Sequence, residues 1–190
     1  MKYPEYAEVN GHRYKINTDF RVAIECNRIA TDNTIGDYER ALAIIYTLFG
    51  EEGINSQGDM EKLLEVAKKY LLCGNEHIDS NEEPDMDYIQ DMDYIEASFM
   101  SDYHIDLPET KMHWWKFYKL MNGLSNSELG NCCVLNRIRN LRNYDTRNIK
   151  DSKEKQKIEE AKQRVALHKK SPSKEQEDNA MEVLKELGLL

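Results

Sequence analysis

Residue types that could do chemistry are densest between Glu76 and Asp106, where eleven Asp and Glu occur with no Lys or Arg. Within this stretch Asp85-Met86-Asp87-Tyr88-Ile89 recurs as Asp91-Met92-Asp93-Tyr94-Ile95. Carboxylates at this density are candidate calcium ligands. Set against an EF-hand loop, Asp85, Asp87, Asp91, Asp93 and Glu96 fall at positions 1, 3, 7, 9 and 12. The fit fails at Ile89, which offers no side-chain oxygen at position 5. It fails again at Gln90, where the sharp turn needs glycine. Tyr88, Met92, Ile95 and Phe99, spaced four, three and four, instead make an apolar helical stripe with the acids on a solvated face. General acid–base work needs a desolvated carboxyl, which a solvated acidic face does not supply.

Other catalytic patterns are missing. His12, His77, His104, His113 and His168 are scattered, and the sequence contains no HExxH, phosphate-binding loop, dinucleotide fingerprint or nucleophile elbow. Cys26, Cys73, Cys132 and Cys133 lack CxxC spacing, and the adjacent pair is poorly placed for a disulfide, so four reduced thiols are expected. No enzyme class, cofactor or metal is indicated.

Two further groups suit binding. Trp114-Trp115-Lys116-Phe117-Tyr118 lies in a helical pattern, where adjacent tryptophans point about 100° apart; one should be buried and the other on a flank. Such a cluster is either core or a protein-binding anchor. Arg137, Arg139, Arg142 and Arg147, followed by a Lys-rich run, could contact phosphates. The alternative is pairing with acidic groups of this chain or of a partner. Glu154, Glu159 and Glu160 within the basic run, and the overall net charge of -9, disfavour nucleic acid. Residues 1–110 hold 9 Lys and Arg against 24 Asp and Glu, while residues 111–170 hold 15 against 6. That asymmetry marks an interaction surface within or between chains.

The elements that position these groups are mainly helical. Asn10-Gly11 between Ala7-Glu8-Val9 and Arg13-Tyr14-Lys15-Ile16 predicts a short hairpin with a type I′ turn. Helices are expected over 20–30, over 37–49 with Leu42, Ile45, Tyr46 and Phe49 on one face before Gly50, and over 59–73 before Gly74. A fourth spans 85–103 and a fifth 111–122. A sixth opens at the capping box Ser125/Glu128 and carries Leu129, Cys132, Cys133 and Leu135. Residues 150–170 form a thin amphipathic helix through Ile158, Ala161 and Val165, and after Ser171-Pro172-Ser173 a docking helix carries Val183, Leu184 and Leu187. The fold class is thus a compact, mainly α domain with an N-terminal β-hairpin over 1–145, followed by a charged helical arm and terminal docking helix over 146–190. No apolar run reaches the roughly 18 residues of a membrane span. The first residues show no apolar leader, so a cytosolic site is expected.

Three blocks carry a resemblance. They are Ile16-Asn17-Thr18-Asp19-Phe20-Arg21, the run from Tyr94-Ile95-Glu96-Ala97-Ser98-Phe99 through Tyr103-His104-Ile105-Asp106-Leu107, and the run from His113-Trp114-Trp115-Lys116-Phe117 through Gly123-Leu124-Ser125. Together, over roughly residues 7–170, the chain resembles the Gp-fifteen family of long-tailed phages and prophages. The resemblance implies a protein encoded just before the tape-measure gene, in the tail-assembly-chaperone position. Its implied partners are the tape measure and other tail proteins, with self-association left open and no membrane involved. Its implied place is the host bacterial cytoplasm, with absence from the mature virion. The family brings no catalytic residues. On this reading Trp114, Trp115, Phe117 and Tyr118 support the core and one flank. The partner-binding set joins them with Arg137, Arg139, Arg142 and Arg147, and with Val183, Leu184 and Leu187. The competing classes are a nucleic-acid-binding accessory protein and a structural tail component.

Overall fold

The computed structural model describes residues 2–56, 58–75, 84–126 and 132–168. The expected docking helix with Val183, Leu184 and Leu187 lies outside the described residues, as do Leu129 and Glu128. Among the described residues the chain forms one antiparallel hairpin and seven helices, a mainly α fold.

The hairpin joins β1 (Tyr6–Val9) to β2 (His12–Lys15), pairing Val9 with His12 and Ala7 with Tyr14. Asn10 and Gly11 both take positive φ, as the two-residue turn demands. The sheet buries Ala7, Val9 and Tyr14 on one face. Helix α1 (Phe20–Ala30) starts where the Asp19 carboxylate accepts the Arg21 backbone N–H, and it buries Phe20, Ala23, Ile24, Cys26 and Ile29.

Helix α2 (Asp37–Ile54) is kinked at Gly50, whose φ of 69° and ψ of -159° suit glycine alone. The glycine thus ends the helix where expected, and one more helical turn follows. The buried face differs from expectation: Ile44, Ile45, Leu48 and Phe49 are buried, whereas Tyr46 is 56% exposed. Tyr46 lies about 160° round the helix from Ile44 and Leu48 and so faces away from the core, while Leu42 is half-buried. Helix α3 (Met60–Leu71) buries Leu63, Ala67 and Tyr70 and packs on α2.

Helix α4 (Met92–Tyr103) begins seven residues after the expected start at 85. Side chains supply the reason. Asp87 Oδ1 accepts the backbone N–H groups of Ile89 and Gln90, and Asp91 accepts that of Asp87. These bonds hold 88–91 in a turn, keep 85–87 outside the helix and compete with the helical ladder. The apolar stripe itself holds, with Ile95 and Phe99 fully buried and Tyr88 and Met92 packed against the core.

Helix α5 (Trp114–Asn122) packs on α1, and α6 (Val134–Asn143) packs on α4. The expected helix start at Ser125 is not observed. Ser125 donates its backbone N–H to Asp102 and accepts from the Cys133 N–H and the Asn136 amide, so it stands outside the helix that Cys133 caps. Helix α7 (Ser152–Arg164) is capped by Asp151 and buries no residue. The four cysteines are unpaired, with Cys26 and Cys133 buried. No helix of the described residues is long and apolar enough to cross a membrane.

Candidate partner-binding region

The Trp-Trp pair divides as helical spacing requires: Trp114 is 1% exposed and Trp115 half-buried. Both indoles act at the end of α3, whose last carbonyls have no partner within the helix. Trp114 Nε1 donates to Leu71 O at 3.0 Å and Trp115 Nε1 to Tyr70 O at 2.9 Å. Phe117 is fully buried and lies between Phe20 and Phe99, with ring centroids 4.6 and 5.2 Å away and planes nearly parallel. Trp114 stacks on the same ring at 5.8 Å, and half-buried Tyr118 leans on Trp114. Of the four aromatic candidates, only Trp115 and Tyr118 present any surface; Trp114 and Phe117 are core.

The start of α5 is tied to the start of α1. The Phe20 N–H donates to Met112 O and the Trp114 N–H to Thr18 O. His113 Nδ1 accepts the Trp115 N–H at 3.0 Å, while Nε2 lies 2.9 Å from Pro4 O. The two contacts together put the ring proton on Nε2. Arg21 reaches across to donate to Leu107 O, Pro108 O and Thr110 O. The three sequence blocks that carry the family resemblance therefore meet here, and their polar groups fasten turns and helix ends.

The arginines separate into different roles. Arg142 Nη1 and Nη2 each lie 2.7 Å from one oxygen of Asp91, and the side chains are 8% and 0% exposed. The carboxylate holds the guanidinium above its usual pKa. Arg142 also donates to Asp85 O at 2.9 Å and through Nε to Val165 O at 2.6 Å. Arg139 pairs with Asp85 at 3.0 Å. Arg147 is exposed and pairs with Asp145, which that contact holds down at about 2. Arg137 is exposed. The basic segment thus turns two of its four arginines onto the acidic repeat. It also corrects the picture of that repeat as a wholly solvated face, since Asp91 has no exposure at all.

Residues that sequence reasoning passed over complete the region. Gln90 Nε2 donates to Ala166 O, and its Oε1 accepts the His168 N–H, both at 2.8 Å. Lys162 donates to Tyr144 O, and Thr146 to Glu159. Nothing in the spacing singles out Gln90, which stands between the two copies of the repeat. Among the described residues no cluster of three or more His, Cys, Asp or Glu could hold a metal ion.

A family model described as Bacteriophage Gp15 protein matches residues 2–167. The chain belongs to this family. The match runs from the residue before Tyr3, which stacks on His113, to the residue before His168, which Gln90 holds. It therefore takes in the hairpin, all seven described helices and nearly all of the segment that returns to the acidic repeat. No curated protein and no solved structure matches this Gp15-family chain.

Proposed function

We propose that this Gp15-family protein is a non-catalytic, chaperone-like factor of phage or prophage tail assembly. It binds the tape-measure protein and tail-tube subunits in the host cytoplasm and is absent from the finished virion. The observation that carries the reading is the family match over residues 2–167, joined to the tail-assembly-chaperone position that the resemblance implies.

The physical demands of the role agree with the chain. A tape measure is a long amphipathic helix that aggregates when its apolar stripe is bare, so its chaperone needs a firm core and a weak, releasable contact surface. The aromatic stack around Phe117 supplies the core. Helix α7, with no buried residue and with Ile158 and Ala161 half-buried, supplies a surface of the second kind, joined by Val165 just past its end.

Nucleic-acid binding is the less favoured reading for a specific reason. Arg139 and Arg142 are engaged by Asp85 and Asp91, and Arg147 by Asp145, so three of the four arginines are already paired with carboxylates of this chain. A protein inventory of purified virions, with a DNA-binding salt titration beside it, separates the readings. The chaperone role predicts absence from particles and no salt-steep DNA affinity. Stoichiometric presence in particles, or affinity lost on Arg137→Ala and Arg147→Ala, would overturn it.

A further inference from the structure

The segment after α7 is held by its backbone. Val165 closes the last turn of α7, and from Ala166 to His168 the chain leaves the helix, with Leu167 half-buried between exposed Ala166 and His168. Gln90 reads the Ala166 carbonyl and the His168 N–H as a neighbouring strand would, and Arg142 takes the Val165 carbonyl. The seat is rigid because Arg142 is fixed by buried Asp91 and by Asp85 O, while Asp87 holds the turn that carries Gln90.

What sits in the seat is lightly held. Helix α7 buries no residue. Besides the seat, the named bonds to α7 are Lys162 to Tyr144 O and Thr146 to Glu159, both from the linker just before it. Polar bonds to a partly solvated segment each contribute little net free energy, and segments with few buried apolar groups open at low cost.

We propose that Val165–His168 is a releasable latch, closed by Gln90 and Arg142, and that its opening frees α7 while the α1–α6 core stays folded. Release bares half-buried Ile158 and Ala161 of α7 and offers them to an amphipathic helix. That last consequence rests on the chaperone reading; the latch itself does not.

The test is hydrogen exchange on the full chain without any partner, so its outcome is independent of the proposed function. In the wild type, amides of 152–164 should exchange through an opening that leaves α1 and α5 protected. Gln90→Ala should raise exchange over 152–168 about tenfold, the effect of losing one or two ordinary hydrogen bonds, with α1 and α5 unchanged. Gln90→Glu loses the donor to Ala166 and sets a carboxylate oxygen against that carbonyl, so it should raise exchange over 152–168 at least as much as alanine does. Unchanged exchange over 152–168 in Gln90→Ala, or exchange rising equally in α1 and α5, would overturn the latch.

Discussion

Arg142 meets Asp91 through two parallel hydrogen bonds of 2.7 Å, with the carboxylate fully buried. A buried pair of this kind contributes little beyond an apolar replacement, but losing one partner strands the other's charge. Arg142→Met should therefore cost about 3–5 kcal/mol, read from urea unfolding. The double variant Arg142→Met with Asp91→Leu should recover most of the loss. Arg147→Ala, which removes an exposed pair, should leave the unfolding curve in place. Equal effects for Arg142 and Arg147 would show that the buried pair has no special role.

The Tyr70 hydroxyl is buried with no hydrogen-bond partner among the described residues, and burial pushes its pKa up. An unsatisfied buried hydroxyl is a standing cost. Tyr70→Phe should thus be neutral or stabilise the fold by up to about 1–2 kcal/mol. A clear loss of stability on chemical denaturation would mean that the hydroxyl has a partner in solution.

Gly50 holds a backbone conformation closed to other residues, yet a Cβ there would meet nothing within 4 Å. Gly50→Ala therefore isolates backbone strain from packing and should cost about 1–3 kcal/mol. The melting temperature checks it, with Gly11→Ala in the hairpin turn as a positive-φ comparison.

Burial pushes the Asp102 carboxyl up, but hydrogen bonds from the Ser125 N–H and Ser101 outweigh it and hold the group below its usual value. The Arg28 guanidinium likewise lowers Glu25. A carboxyl whose folded pKa is depressed adds stability that is present above the unfolded value, near 4, and lost as pH falls through the folded value. Melting temperature should be flat from about pH 7 to 5 with respect to these groups and fall below about 4. Asp102→Asn should soften that acid-side drop; an unchanged slope would contradict it.

How much of this was legible in the sequence is clearest in the acidic repeat. The same five residues occur twice with two outcomes. Asp85 to Ile89 stays outside any helix and enters a turn only at Tyr88, while Asp91 and the residues after it open α4. Periodicity found the stripe Tyr88–Met92–Ile95–Phe99 because it depends on local spacing alone. It could not find the turn, because that rests on bonds from backbone N–H groups to the Asp87 and Asp91 carboxylates, which apolar spacing does not register. The hairpin was legible because Asn10-Gly11 dictates its own turn. The Ser125/Glu128 capping signature falls in part outside the described residues, and Ser125 itself is bonded to Asp102 and Cys133 through its backbone. The basic segment was visible as charge, and pairing with the acidic half was one of two readings. Which arginine met which aspartate required the fold.

The most direct test of the central claim is co-expression of this protein with the tape-measure protein of the same phage, followed by purification through a tag on one partner. A soluble, stoichiometric complex is expected, with the tape measure insoluble when expressed alone and capture weakened when Ile158, Ala161 and Val165 are replaced by serine. A folded, helical protein that purifies alone and leaves the tape measure insoluble would contradict it.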